Sequence, residues 1–539
     1  MASVSSSVIV RIKDKLWSTL FPANGASSNA LLSQNRTRSV AIAVALLGLY
    51  LAFEKITKPP KHLRHIPQAN FFKYVSSFLT QQPYDETAEN ITVPISAKTE
   101  HGSYIVFDVY GWTVHVTRPE SAKKLLLKAD LFPKINMNLG RRDTLFGRFA
   151  MGPNIIFLIG KHWKEQRSVM NPAFHRSMPV HLFGDLTRKL FVELDKQLES
   201  PIEIHEVLER WTLDAIGIAG FDFDFNSVAD PTNEWVTRYN SIMKANTDPL
   251  FMLLPSLETR WLFLFPKRKQ AHKELDIFLG KIREIIAKKR ETLVNDSSIA
   301  EKRTSEKDLL TLMLEASEEG NGKLTDEELQ SNLCAFFLAG HDTTANALSY
   351  AIYNLATHPD VQEKAREEAN LVLGDKSVDV LPTLEQIQQM PYINQVIKET
   401  MRRNVTATGV VAREATEDTD LGGVYIPKGT RVTVDIMEIQ RNVKVWKDPK
   451  VFDPERFAPG GEAEKVAKMG MSWLPFSNGA RQCIGMNFSL AEQRVFLPML
   501  LRKYELSLPE DSIHKDKVVI SGVGIMTPVN LRINLKRRF

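Results

Sequence analysis

A short loop near the C-terminus, FSNGARQCIG, places one cysteine between glycines and an arginine. Gly479 and Gly485 suit tight turns that let backbone N–H groups close around the sulfur of Cys483. The sequence that follows has a helical pattern, and the positive N-terminal end of that helix would favour a thiolate. Such a sulfur could bind a haem iron, with Arg481 as the cation for a haem propionate. The alternative is a buried, inert cysteine, which is what a lone cysteine usually is.

The amino-acid composition excludes several other classes of protein and site. The chain has 539 residues and two cysteines, Cys334 and Cys483, so a disulfide-built secreted protein and a thiolate zinc site are both excluded. Cys334 lacks the setting of Cys483 and is expected to be a core residue. The net charge, 69 − 64 = +5, gives no case for nucleic-acid binding. It is compatible with anionic lipid or an acidic protein partner.

A second group of polar residues lies in the middle of an apolar stretch. Residues 339–344 read AGHDTT. Gly340 would let a ligand approach the backbone, and Thr343 can hydrogen-bond the preceding carbonyl. Asp342 is costly inside an apolar helix unless it is used. The alternative is a satisfied polar kink, with His341 as a bystander.

One long helix must position this group. Thr325 and Glu328 form a capping box at its start, and Pro359 marks its end. Thirty-odd residues at helical rise would extend about 48 Å. A helix of that length, apolar over much of its surface, is predicted to cross the middle of a large domain.

Three further positions carry charges at spacings that allow contact. Glu399 and Arg402 are three apart on a predicted helix, so they can pair, the alternative being a solvated surface pair. Trp163 and Arg167 are one helical turn apart. Arg413 follows in the stretch GVVAREATED, and guanidinium groups bind carboxylates through two parallel donors. Ordinary surface arginine is the alternative for Arg413 and Arg167.

The remaining pattern predicts a mainly α fold with small β-sheets. Residues 104–109 and 112–116 read as a hairpin, and 431–435 as a short strand. The polar stretch 296–308 is predicted to be an exposed loop.

The N-terminal region predicts a membrane anchor. We assign residues 1–58 to an amphipathic segment (8–21) and an apolar run (40–53), and residues 59–539 to the catalytic domain. The apolar run is shorter than the roughly 20 residues of a typical spanning helix, so full spanning is left open. A buried core helix is the alternative, and a cleaved signal peptide is disfavoured. Basic residues after the run favour a cytosolic C-terminal domain.

The cysteine loop matches the Phe-x-x-Gly-x-Arg-x-Cys-x-Gly signature of the cytochrome P-450 monooxygenases. From about Pro59 onward the chain resembles this family through four further motifs in the expected order. The resemblance is to the membrane-bound, eukaryotic microsomal kind, of fungal-like character. It implies the cytochrome P-450 fold, with a long central helix and a haem-thiolate loop, and haem b as the cofactor.

The resemblance also implies residue roles. Cys483 would be the axial ligand of the haem iron, Phe476 would flank the haem, and Asp342 with Thr343 would deliver protons to iron-bound O2. The haem propionates would meet Trp163, Arg167, Arg413 and Arg481. Arg456 of the Pro-Glu-Arg-Phe segment would join Glu399 and Arg402 in a network that supports the haem face of the fold.

The sequence departs from the family pattern at two places. Relatives usually carry a proline several residues after the Glu-x-x-Arg motif, where Asn404, Val405 and Thr406 stand here. Gln440 occupies a position where histidine is common. The first departure leaves the shape of the nearby substrate wall open.

The implied function is hydroxylation of a lipophilic molecule of the steroid, fatty-acid or terpenoid class. Electrons would come from a separate NADPH-dependent flavoprotein reductase, with cytochrome b5 as a further partner, at the endoplasmic reticulum membrane. Pocket walls would come from residues 135–156, Ala339, Thr344, 408–411 and 523–526. Residues 261–266 (WLFLFP) form either an apolar surface near the membrane or core packing. The rival functions are a haem-thiolate isomerase or dehydratase that needs no O2, and a non-catalytic haem sensor.

Overall fold

A computed structural model describes residues 29–136, 141–175, 178–295, 307–318, 324–522 and 524–539. The chain divides into two compact units, Met1–Lys61 and His62–Phe539. The predicted amphipathic segment 8–21, and residues 296–306 of the predicted loop, lie outside the described residues.

Helices dominate the described chain, as predicted. They are α1 (Asn29–Thr57), α2 (Phe71–Leu79), α3 (Tyr84–Thr87), α4 (Val93–Ser96), α5 (Pro119–Leu127), α6 (Leu145–Ala150), α7 (Gly160–His175), α8 (Val180–Leu194), α9 (Ile204–Phe221), α10 (Glu234–Asn246), α11 (Pro249–Leu253), α12 (Pro255–Arg260), α13 (Pro266–Asn295), α14 (Leu309–Glu318), α15 (Asp326–Thr357), α16 (Pro359–Leu373), α17 (Leu384–Gln388), α18 (Pro391–Arg403), α19 (Ile436–Arg441), α20 (Glu462–Ala467) and α21 (Met486–Lys503). Short 3-10 turns occur at Lys61–Leu63, Leu262–Leu264, Pro454–Phe457 and Gly479–Arg481, and a π-turn at Ala88–Thr92.

The strands are short, and they form small sheets at the edge of the helices. They are β1 (Ser103–Asp108), β2 (Gly111–Val116), β3 (Ile202–Glu203), β4 (Arg413–Glu414), β5 (Thr419–Leu421), β6 (Val424–Ile426), β7 (Arg431–Val434), β8 (Tyr504–Ser507), β9 (Ile520–Ser521), β10 (Thr527–Pro528) and β11 (Arg532–Arg537). The largest sheet has the order β1-β2-β7-β4, with β2 parallel to β7. This order places Arg413, at the start of β4, in the same sheet as the predicted hairpin.

The hairpin is confirmed, with one difference at its turn. β1 and β2 pair antiparallel, and Tyr104 lies opposite His115. The sequence predicts a turn at Tyr110-Gly111, whereas Gly111 already pairs with Asp108 in the structure. Gly111 has φ +90°, a left-handed conformation that glycine adopts without a steric penalty.

The long helix is α15, and it begins and ends where its sequence signals place it. The Thr325 hydroxyl accepts from the Glu328 N–H, and the Glu328 carboxylate accepts from the Thr325 N–H, so the predicted capping box is present. Most α15 side chains are buried, and the helix packs most extensively against α9. A fully buried large apolar side chain stabilises the fold by about 1.5–3 kcal/mol relative to an exposed one, so this helix organises the core.

Two apolar segments lie at the surface. α1 contains the predicted run 40–53, and among the described residues its span is long and apolar enough to cross a bilayer. In the catalytic unit, Trp261, Phe263 and Leu264 are each more than half exposed. Core packing of the WLFLFP segment is therefore excluded for these three side chains, and the surface alternative holds.

Candidate active site

The cysteine loop closes around its sulfur through backbone contacts. The Cys483 N–H donates to the Phe476 carbonyl at 3.0 Å. Gly479 has φ +72°, and a Cβ there would lie 2.6 Å from the Leu126 carbonyl oxygen, so only glycine fits. Gly485 has φ −84° and needs no such freedom. It contributes instead as the N-cap of α21, and its N–H bonds the Cys483 sulfur.

The Cys483 side chain opens onto a cavity and is enclosed by protein elsewhere. The surface of Cys483 that is accessible faces this cavity. Burial raises the pKa of the Cys483 thiol, while the Gly485 N–H and the Arg167 charge lower it. Binding a cationic metal releases a thiol proton, so an iron at this position would supply the missing stabilisation of the thiolate. Cys334 is buried within α15, as predicted, and burial raises its pKa to about 12.

A cavity of about 320 Å³ separates the cysteine loop from the middle of α15. Its apolar lining includes Ile155, Ile216, Phe336, Ala347, Val410 and Phe488. Phe476, Trp163, Ala339 and Thr343 also line it. The cavity thus brings together residues that are far apart in the sequence, as the motif predictions require.

Four cationic side chains line the same cavity, namely Lys134, Arg167, Arg413 and Arg481. Three of them donate one hydrogen bond each to a backbone carbonyl, at Ile156, Phe132 and Leu158. Across the described ranges, none of the four has a carboxylate within ion-pair distance. Arg413 Nε and Arg481 Nη1 are buried and have no hydrogen-bond partner.

The four cations of this cluster repel one another, and an anion would stabilise them. Burial lowers the pKa of Lys134 to about 7, and the charges of Arg481, Arg413 and Arg167 add to that effect. Burial likewise lowers the pKa of Arg413 to about 10 and that of Arg481 to about 10. The two carboxylates of a haem b would supply the missing counter-charges, and its apolar macrocycle suits the rest of the lining. The residues present therefore fit this cofactor.

Trp163 holds one of these cations in place. The guanidinium carbon of Arg481 lies 3.8 Å from the Trp163 ring centroid, a cation–π contact. The Arg167 Nε donates to the Asn171 side chain at 2.9 Å. The structure thus places Trp163, Arg167, Arg413 and Arg481 around one space. Surface alternatives for Arg413 and Arg167 do not apply to side chains that line it.

Replacing Arg413 with leucine should separate cofactor binding from folding. Removing an unpaired buried cation should leave the haem-free protein as stable or slightly more stable. The same change removes a charged hydrogen bond to the cofactor, worth about 1.5–3 kcal/mol, and should weaken haem retention by about tenfold to a hundredfold. Haem transfer to excess apomyoglobin and urea unfolding measure the two effects. Lys128→Leu, at an exposed lysine, is the control and should change neither.

The middle of α15 combines residues that line the cavity with residues packed against α9. Thr343 lines the cavity and its hydroxyl donates to the Ala339 carbonyl at 2.8 Å, as predicted. Gly340 also borders the cavity, but a Cβ there would lie 2.8 Å from Ile216 Cγ1. Glycine is therefore required for close packing of α15 on α9, and it also borders the cavity, where the sequence predicted that its missing side chain would let a ligand approach the backbone. His341 is buried, and its Nδ1 lies within hydrogen-bond distance of the Phe337 carbonyl.

Asp342 does not line the cavity. Its Oδ2 accepts a hydrogen bond from the Tyr239 hydroxyl at 2.6 Å, and its Oδ1 lies 2.9 Å from His341 Nε2 in ion-pair geometry. Asp342 is thus hydrogen-bonded to α10 through Oδ2, while Oδ1 is buried with an ion-pair contact but no hydrogen-bond partner among the described residues. Its proton-delivery role stays a prediction that requires the side chain to move.

The Glu-x-x-Arg pair is fully buried. Arg402 donates to Glu399 through Nε at 2.7 Å and through Nη2 at 2.8 Å, and Arg456 Nε lies 3.4 Å from Glu399 Oε1. Arg402 also donates to the backbone carbonyls of Gln440 and Pro449. The network ties α18 to the segment that leads into the cysteine loop, and the solvated-surface alternative is excluded.

The two departures from the family pattern are accommodated. Gln440 donates to the Met401 carbonyl at 2.9 Å and accepts from the Leu474 N–H at 2.7 Å, so it links α18 to the approach of the cysteine loop. Asn404 bonds Asn354 of α15 at 2.9 Å. Thr406 lines the cavity.

The predicted pocket walls are found in part. Ile155, Ile156, Ala339, Thr344 and residues 409–411 border the cavity. Residues 524–526 do not line it, because the Met526 N–H pairs with the Thr406 carbonyl and the Met526 side chain is buried behind that segment; Val523 lies outside the described residues. Motif reasoning missed Lys134. Lys134 pairs with Arg413 through an isolated β-bridge, and a pairing between such distant residues leaves no local pattern in the sequence.

A lone cysteine beneath an apolar cavity, four uncompensated cations and a long helix across the top define a haem-thiolate protein. The family model described as cytochrome P-450 matches residues 84–532. The chain belongs to the cytochrome P-450 family. It is a haem-thiolate monooxygenase that binds haem b, as the motifs predicted, so the isomerase and sensor alternatives are set aside.

Individual relatives agree with this assignment. The chain is 32% identical to cytochrome P-450 4A10 of Rattus norvegicus over 379 residues, covering 67% of this chain and 70% of the relative. It is 32% identical to cytochrome P-450 4A11 of Homo sapiens over 405 residues, covering 72% and 74%. It is 28% identical to cytochrome P-450 4c21 of Blattella germanica over 439 residues, covering 78% and 84%.

Proposed function

We propose that this chain hydroxylates a lipophilic small molecule of the steroid, fatty-acid or terpenoid class, with electrons from NADPH that a separate flavoprotein reductase delivers. The observation that carries the proposal is the apolar cavity with Cys483 at one side and Thr343 at the other. Such a cavity excludes water and binds apolar groups without the free-energy cost of burying unpaired polar atoms. It offers few polar groups that could recognise a charged substrate away from the cation cluster.

The cavity residues that would contact the haem each have a role in this proposal. Cys483 would bind the iron, and Lys134, Arg167, Arg413 and Arg481 would hold the propionates, with Trp163 fixing Arg481. When bound, haem supplies the activation of dioxygen and the transfer of one oxygen atom to the substrate. Phe476 would shield the sulfur from water, which keeps the thiolate from oxidation.

Two residues of α15 would manage protons. The Thr343 hydroxyl donates to the Ala339 carbonyl at rest, and both of its lone pairs remain available to accept from a group in the cavity. Asp342 would bring protons to this hydroxyl after turning from its present partners.

We also propose how the protein meets its partners. The exposed Lys161 and Lys164 flank Trp163 on α7, and would attract the acidic face of the reductase or of cytochrome b5. α1 would anchor the chain in the endoplasmic reticulum membrane with the catalytic unit in the cytosol. The exposed Trp261, Phe263 and Leu264 would contact lipid.

The decisive experiment combines a spectrum and a product. Purified protein should bind candidate lipids with a spectral shift of the haem. With reductase and NADPH, one or more of them should yield a hydroxylated product together with substrate-dependent NADPH oxidation. Absence of both across steroids, fatty acids and terpenoids would reject the proposed substrate class.

A further inference from the structure

His341 and Asp342 form a close buried pair whose contacts favour one protonation pattern. His341 Nδ1 lies 2.5 Å from the Phe337 carbonyl oxygen, which can only accept, so Nδ1 carries a hydrogen. Nε2 faces the Asp342 carboxylate at 2.9 Å, where a second hydrogen makes the contact attractive. The side chain is then an imidazolium. Burial alone would lower the pKa of His341, but the charge and hydrogen bond of Asp342 raise it above its ordinary value.

The carboxylate is correspondingly held in its ionised form. Burial would raise the pKa of Asp342, but the charge of His341 and the hydrogen bonds from His341 and Tyr239 lower it. Oδ2 is hydrogen-bonded to Tyr239 of α10, Oδ1 lies at ion-pair distance from His341, and the Tyr239 ring packs 4.7 Å from the His341 ring. An ionised acid held in this way has no proton to give to the cavity.

The other titratable groups that face this pair come from α9. His205 Nε2 pairs with Glu209 Oε1 at 3.0 Å, and Glu209 is partly exposed to solvent. The charge of Glu209 acts on His341, and that of His205 acts on Asp342. The Thr212 hydroxyl donates to the His341 carbonyl at 3.1 Å, which fixes the two helices side by side. The His205–Glu209 pair, whose Glu209 is partly exposed, is therefore electrostatically linked to the buried pair.

We propose that His341 supplies the proton that Asp342 carries to the cavity, and that Tyr239 is a positioning residue that holds Asp342 until it has been protonated. The inference rests on the proposed proton-delivery roles of Asp342 and Thr343. In the transfer, the Nε2–H bond of the imidazolium breaks and an O–H bond forms on Asp342 Oδ1. Charge is balanced, because an imidazolium and a carboxylate become a neutral imidazole and a neutral acid.

The loss of both charges also allows the Asp342 side chain to move away from His341. The Coulomb attraction between the two side chains disappears with their charges, so Asp342 is then held only by hydrogen bonds between neutral groups. The protonated side chain can then turn toward Thr343, one residue further along α15. His341 regains a proton from water on the side where Glu209 is exposed.

The test replaces His341 with glutamine, which keeps a hydrogen-bond donor but cannot carry a proton. Product formed per NADPH oxidised should fall about tenfold, with hydrogen peroxide released instead, and the solvent deuterium isotope effect on turnover should rise. Hydrogen-peroxide-supported product formation should be unchanged. Tyr239→Phe should lower the same ratio less, because the proton source remains. Tyr353→Phe removes another buried hydroxyl of α15, which donates to the His514 carbonyl at 3.1 Å, and should leave the ratio unchanged.

A second readout is independent of turnover. In the ferrous carbon-monoxide form, nitrogen NMR of 15N-histidine-labelled protein should show one histidine, absent in His341→Gln, with both ring nitrogens protonated at neutral pH. A neutral His341, or an unchanged product ratio in His341→Gln, would overturn the inference. If wild-type protein yields no product from any lipid tried, the proposed function fails, while the NMR result still decides the state of the pair.

Discussion

Replacing Cys483 with histidine is expected to lower product formation at least about a thousandfold, or about 4 kcal/mol of transition-state stabilisation. The physical reason is that a thiolate donates electron density through iron and favours O–O cleavage, whereas a neutral imidazole does so poorly. The carbon-monoxide adduct should then absorb like that of an imidazole-ligated globin. Absorption spectra of the reduced carbon-monoxide form and product analysis with reductase measure both effects.

Cys334 provides the matched control, because it is the one other cysteine of the chain. It is buried within α15 and remote in sequence from the cysteine loop. Cys334→Ala should keep the thiolate spectrum and the activity, and should lower the free energy of unfolding by about 1 kcal/mol through the small cavity it leaves. If Cys483→His retained the thiolate spectrum, a sulfur other than Cys483 would have to be the ligand.

The parts of this site that could be predicted are those with local signals. The capping box fixes where α15 begins, a proline fixes where it ends, and the left-handed backbone at position 479 favours glycine. Each of these depends on backbone geometry within a few residues. The cysteine loop and the long helix were therefore predictable from the sequence alone.

The parts that could not be predicted depend on how helices are rotated against one another. Periodicity shows that Asp342 lies on an apolar helix, but it does not show which neighbour its carboxylate meets. Tyr239 comes from a helix about a hundred residues earlier and Lys134 reaches Arg413 through an isolated β-bridge. The packing role of Gly340 was missed for the same reason, because it is set by Ile216 of α9.

Replacing Glu399 with glutamine is expected to destabilise the fold by about 3–5 kcal/mol. The change leaves Arg402, which is fully buried, without its counter-charge, and Arg456 loses its contact with the same carboxylate. Because stability of a whole domain is only about 5–15 kcal/mol, most of the protein should fail to accumulate with haem. Haem content per purified protein and urea unfolding of the soluble fraction measure the loss.

The control for this network is an exposed pair in the same region. Glu455 is adjacent to Arg456 and pairs with Lys364, and both side chains are more than half exposed. Glu455→Gln should change the free energy of unfolding by less than about 1 kcal/mol, since water and salt screen such a pair. The double variant Glu399→Leu with Arg402→Leu should recover part of the loss, because it removes the stranded charge along with its partner. A double variant no more stable than Glu399→Gln would show that the hydrogen bonds from Arg402 to the Gln440 and Pro449 carbonyls, and not the buried ion pair, hold this side of the fold together.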